Sequence, residues 1–187
     1  LWPTLKISRP LRLSKLTGTD PTSGTSGAAQ IGHSRLAEQI RQGTQTETVT
    51  DPVTALVATC RAMGITRLAI LSPYIPTVSA RLREVLEQHG LTNPAFGTFA
   101  EAEEAKVADI APNSVFDAAT AVMGHADADA LFISCTNLRT LDVLQDLRRT
   151  LGLPILSSNL VLAWHMLDQA GVLTAGTSPL DLIPSRS

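Results

Sequence analysis

Cysteine and net charge are both scarce in this chain, and each scarcity removes a class of function. The two cysteines, Cys60 and Cys135, stand far apart and form no C-x-x-C pair. A thiol metal site and a disulfide framework are therefore not expected, and each cysteine is judged by its own surroundings. A net charge of −2 gives no electrostatic pull toward nucleic acid or an anionic membrane. No apolar run reaches the ~18 residues of a membrane span. Residues 1–16 are basic and apolar but lack the apolar core and small-residue cleavage site of a targeting peptide, which reads as cytoplasmic. No Walker loop, dinucleotide glycine fingerprint, H-E-x-x-H pair or G-x-S-x-G elbow is present, which argues against nucleotide, zinc-protease and serine-hydrolase chemistry.

What the chain does have is apolar residues in periodic order. They make up 44% of its 187 residues against 17% charged, enough for a packed core. Residues 17–30 are rich in Gly, Ser and Thr and read as a loop. A short helix is expected at 33–41. Asp51 and Pro52 open another helix, whose Val53, Leu56, Val57, Cys60 and Met63 follow helical spacing up to Gly64. From there strands and helices alternate. RLAIL (67–71), AFGTF (95–99), ALFIS (130–134) and PILSS (154–158) read as strands. Helices are expected at 76–89, 113–125, 137–151 and 159–170, with a surface tail from Thr174. Such alternation predicts an α/β fold, parallel sheets flanked by helices.

Ligands of parallel sheets bind at the carboxyl ends of the strands. That rule selects Ser72-Pro73-Tyr74, Cys135-Thr136-Asn137 and Ser157-Ser158-Asn159. Cys135 stands between a strand and an expected helix, where the helix dipole and free N–H groups would tune a thiol; a buried structural cysteine is the alternative. Thr136 and Asn137 either line the crevice or cap that helix. Tyr74 offers a hydroxyl to a carboxylate, or packs on Pro73. Thr25-Ser26-Gly27 reads as an anion nest or a linker. Cys60 lies on an apolar helix face and reads as core. Ser157, Ser158 and Asn159 read first as a helix cap, His165 as a packed histidine, His33, His89 and His125 as surface residues, and Glu101, Glu103 and Glu104 as a solvated helix start.

The segment LFISCTNLRTLDVLQDLRRTLGLPILSSNLVLAWHMLDQAG (131–171) resembles the second catalytic segment of the maleate isomerase and arylmalonate decarboxylase family, within the Asp/Glu racemase superfamily. The ectoine-utilisation proteins of that group are similar too. Residues 67–90 resemble the family segment with a substrate-binding tyrosine. TSGAAQIG (25–32) and TDPVTAL (50–56) resemble the region of the first catalytic cysteine. The resemblance implies a two-lobed fold with the site between the lobes, a small carboxylate or dicarboxylate as substrate, and no metal, pyridoxal or nucleotide cofactor. It leaves a homo-oligomer open. Carried over, Cys135 looks like the second-lobe thiol and Tyr74 like a carboxylate-binding hydroxyl. Thr25 and Ser26 look like carboxylate donors, and Thr136 adds a backbone N–H.

Two departures shape the expectation. Gly24 stands where the pattern C-T-S-G has its first cysteine. Residues 1–23 do not resemble the strands and helix that come first in the family. The expected layout is an atypical segment at 1–23, a remnant of the first lobe at 24–64, a second lobe at 65–171 and a tail at 172–187. The first functional expectation is a maleate isomerase-like or racemase-like enzyme. The others are a one-cysteine decarboxylase of the arylmalonate type and an inactive carboxylate-binding remnant.

Overall fold

The structure, a computed structural model, describes residue 42 and residues 48–183 apart from position 125. The first helix with both ends among the described residues, α1 (Pro52–Met63), shows how local chemistry sets an element. The Asp51 carboxylate accepts the N–H groups of Val53 (2.8 Å) and Thr54 (3.1 Å) and the Thr54 hydroxyl (2.6 Å). Pro52 takes the first helical position, where no N–H is missed. Gly64 closes the helix at φ 68°, a left-handed geometry glycine adopts without strain. Because Asp51 is buried, Asp51→Ala is expected to lower stability by about 1 kcal/mol, read as a lower denaturant midpoint at unchanged slope.

Four strands form one parallel sheet in the order β2-β1-β3-β4: β1 (Leu68–Tyr74), β2 (Phe96–Glu101), β3 (Ala130–Ile133) and β4 (Ile155–Ser157). The connections are helical, with α2 (Pro76–Gln88) after β1, α3 (Glu104–Val107) and α4 (Pro112–Met123) after β2, α5 (Leu144–Leu151) after β3 and α6 (Ser158–Gln169) after β4. Side chains alternate between the two faces, as strand geometry requires. Leu68, Ile70 and Phe132 pack with Val53, Leu56 and Cys60 of α1, Leu82 and Leu86 of α2, and Val161 of α6. Ala69, Leu71, Leu131 and Ile133 pack on the other face with Val115 and Ala119 of α4 and Leu144 and Leu147 of α5. Both sides of the sheet are thus covered, which is why β1 and β3 read as unbroken apolar runs.

Three expectations need correction. The first strand does not stop at Leu71 but runs on through Ser72 and Pro73 to Tyr74, all buried. The helix expected from 137 begins only at Leu144. Between β3 and α5 the chain is an irregular loop: Leu138 and Val143 turn inward while Leu141 is 67% exposed, a burial pattern no single helical stripe produces. The tail is also less free than expected. A 3-10 turn (Pro179–Leu182) packs against α6, and the Trp164 indole N–H donates to the Thr177 carbonyl at 2.8 Å.

Candidate active site

The carboxyl ends of β1, β3 and β4 meet at one edge of the sheet, and Cys135 is where they meet. Its thiol is fully buried. The Tyr74 hydroxyl lies 3.0 Å from Sγ, and the Asn137 backbone N–H points at Sγ from 3.2 Å. The Cys135 N–H donates to the Ser158 hydroxyl at 3.0 Å, which ties the loop to the start of α6. Cys135 itself sits at φ 110°. A side chain with a Cβ is strained there by about 1–3 kcal/mol. Strain of this kind, at a thiol aimed into a polar cluster, marks the position as one where geometry outranks stability.

The local fold explains how Tyr74 reaches the thiol. The pairing of β1 and β2 slips between Ser72 and Tyr74: Ser72 lies opposite Thr98, but Tyr74 lies opposite Glu101. The extra residue in β2 is a bulge, and Ala100 takes φ 55° within it. The Thr98 hydroxyl holds the bulge by donating to the Tyr74 carbonyl and accepting the Ala100 N–H. Beyond the bulge the chain turns into α3, which sets Glu104 Oε2 2.7 Å from the Tyr74 hydroxyl. Asn137 braces α3 from the other side, its side-chain amide donating to the Glu104 carbonyl at 3.3 Å.

Burial is the largest influence on Cys135 and pushes its pKa up. The Tyr74 hydroxyl and the N–H groups of Asn137 and Leu138 pull it down, while the Glu104 carboxylate pushes it further up. The net direction is upward, so the thiol keeps its proton through neutral pH. The expectation of a helix dipole at Cys135 is therefore replaced. Individual N–H groups of an irregular loop face the sulfur, because α5 starts nine residues later.

The remaining candidates fall in several places. Thr136 is half-buried, and its carbonyl accepts from the Asn159 side chain at 3.0 Å. Asn137 is exposed and spends its amide on α3. Neither caps a helix. Ser157 does, accepting the Leu160 N–H. Cys60 is a core residue whose pKa is pushed up to about 12 by burial. His165 is packed, with Nδ1 2.7 Å from the Thr50 hydroxyl, and burial lowers its pKa. Thr25, Ser26 and Gly24 lie outside the described residues, as do His33, His125 and the helix expected at 33–41. Glu104 was missed by sequence reasoning: an acidic run beside Ala and Lys looks solvated, and Glu103 is indeed exposed and paired with Lys106. A cavity of about 520 Å³ opens beside the cluster, between the 136–144 loop, α6 and the tail at Leu182 and Ile183. Cys135 and Tyr74 do not line it.

The site is thus a buried, strained cysteine at one strand end of a parallel α/β sheet, with a tyrosine on the neighbouring strand. The arylmalonate decarboxylase family model matches residues 26–180, and the chain belongs to that family. It is 29% identical over 119 residues to an arylmalonate decarboxylase of Bordetella bronchiseptica, covering 63% of this chain and 50% of that protein. It is also 29% identical over 135 residues to a maleate isomerase of Nocardia farcinica (strain IFM 10152), covering 72% and 53%. A crystal structure of arylmalonate decarboxylase superposes with a TM-score of 0.71 at 27% identity, over 82% of this chain and 68% of that one. The chain spans about half the length of the curated relatives it matches. Among the described residues no helix is long and apolar enough to cross a membrane.

Proposed function

We propose that this chain works as a cofactor-independent enzyme of the maleate isomerase and racemase type, in which Cys135 transfers a proton, or adds, at a carbon beside the carboxylate of a small acid. The observation that carries this reading is the 3.0 Å approach of the Tyr74 hydroxyl to a buried, strained Cys135 thiol. Loss of a proton or of carbon dioxide beside a carboxylate leaves an enediolate, whose charge needs fixed donors. The Tyr74 hydroxyl and the Thr136 N–H supply them, with Thr25 and Ser26 assigned to the same role from the sequence. A thiol that stays protonated at neutral pH suits the return of a proton to carbon. The half-buried Glu104 and exposed Asn137 mark the side on which the cluster meets the surface.

A second reading is favoured by Gly24. One thiol protonates one face of an enediolate, which is enough for decarboxylation of an arylmalonate, whereas racemisation and cis–trans isomerisation use two in the family pattern. Maleate, aspartate and phenylmalonate, each assayed with the chain by NMR and chiral chromatography, separate the two. Fumarate from maleate, or racemised aspartate, is the result expected on the first reading. Phenylacetate and carbon dioxide formed from phenylmalonate support the second. Turnover of none of them by the folded chain would contradict both and favour a carboxylate-binding remnant. Gly24→Cys is expected to raise the isomerase or racemase rate if the first reading holds.

A further inference from the structure

The Tyr74 hydroxyl has one proton and touches two groups that could share it. Glu104 Oε2 is 2.7 Å away and Cys135 Sγ is 3.0 Å away. A carboxylate only accepts, so the proton of Tyr74 goes to Glu104. With that proton turned to Glu104 the Tyr74 hydroxyl does not exert the lowering effect it has on the thiol when it donates to sulfur, and the hydrogen in the S···O contact is the thiol's own. A thiolate in that place would face an oxygen lone pair and, behind it, a carboxylate.

We propose that Glu104 is a positioning residue that holds Cys135 in its protonated form, by taking the Tyr74 hydroxyl proton and leaving the tyrosine oxygen to accept from the thiol. The inference rests on the reading of Cys135 as a proton donor and adds the device that keeps it loaded. No bond to carbon is involved; the proton stays on Sγ until it is transferred, and the Tyr74 hydroxyl, which keeps its own proton, points it at Glu104 in the resting site and turns it to the substrate oxygen as charge develops there.

Among the described residues Glu104 is the charged group that acts on the thiol. From β1 it meets Tyr74, and from its own loop the N–H groups of Asn137 and Leu138. Ser158 of α6 accepts from the Cys135 N–H. The side chains of α4 and α5 in the same cluster, Val115, Ala119, Leu144 and Leu147, are apolar. The position of Glu104 is itself fixed at two points, by the bulge in β2 and by the Asn137 amide on its carbonyl.

The test needs no substrate and no access of a reagent to the buried sulfur. The full chain is labelled with [3-13C]cysteine, and the Cys135 resonance is assigned as the one missing from Cys135→Ser. Its shift is followed from about pH 6 to about pH 11, the range that brackets an ordinary thiol. Glu104→Gln and Glu104→Met, both neutral, are expected to move the Cys135 titration down by about one pH unit, ~tenfold more thiolate at a given pH. Glu104→Asp, which keeps the charge, is expected to stay near the parent chain. With Tyr74→Phe already in place, Glu104→Gln is expected to produce a clearly smaller shift, because the shared proton is gone. The proposal is overturned if neither neutral variant lowers the titration, or if the shift is equally large without the tyrosine hydroxyl. A chain that shows the shift yet turns over no carboxylate would sink the enzymatic reading alone; turnover lost in Cys135→Ala with an unmoved titration would sink this inference alone.

Discussion

Cys135→Ala is expected to reduce turnover of the best small-carboxylate substrate by about 10²–10⁴-fold, the range that a positioned acid contributes. The chain should fold nonetheless. The thiol is small and its loss from the buried cluster costs about 1 kcal/mol. Cys135→Gly makes a sharper comparison. At φ 110° the cysteine is held against its backbone preference, and glycine adopts that region freely. The glycine variant should therefore be as inactive as the alanine one but at least as stable. A cysteine kept for packing predicts the opposite, a loss of stability in both variants with no separate effect on rate. The pH profile follows from the raised pKa. An acid is active only while protonated, so the rate should hold through neutral pH and fall only above the ordinary thiol range.

Tyr74→Phe is expected to lower kcat by roughly 10²–10³-fold, as removal of one fixed donor to a developing oxyanion does. KM should change less, because the donor matters most when charge concentrates on the substrate oxygen. The ring keeps its place in the core, and the hydroxyl lost from the Glu104 contact costs about 1 kcal/mol of stability. A tyrosine that merely packed on Pro73 would leave kcat unchanged under the same substitution. Kinetic constants for the parent chain and Tyr74→Phe, measured side by side with a thermal melt, decide between these.

Much of the site's frame was legible from pattern. The strand-end rule picked out Tyr74, Cys135 and Ser157-Ser158-Asn159 because apolar runs followed by small polar residues are what a covered parallel sheet looks like in sequence. Resemblance then assigned the roles. What pattern did not carry was irregular backbone. Leu138, Leu141, Leu144 and Leu147 recur every three residues and so imitate a helix, yet Leu138 is buried and Leu141 exposed in a loop that leaves β3 through a φ 110° turn at Cys135. The N–H groups at the thiol follow from that turn and not from a helix dipole. Glu104 was invisible for a related reason. Its reach to Tyr74 depends on one extra residue in β2, at which Gly97 hints in the sequence without fixing where the bulge falls. Asp51, Pro52 and Gly64 were readable because capping is local: each acts within a few residues of itself.

Transfer of the Cys135 proton to carbon is the central step. In deuterated water, NMR of the α-carbon position of a turned-over carboxylate measures that transfer. The expected result is deuterium incorporated there by the parent chain and background incorporation only with Cys135→Ala. Equal incorporation by the folded alanine variant would contradict it and move the acid to another group.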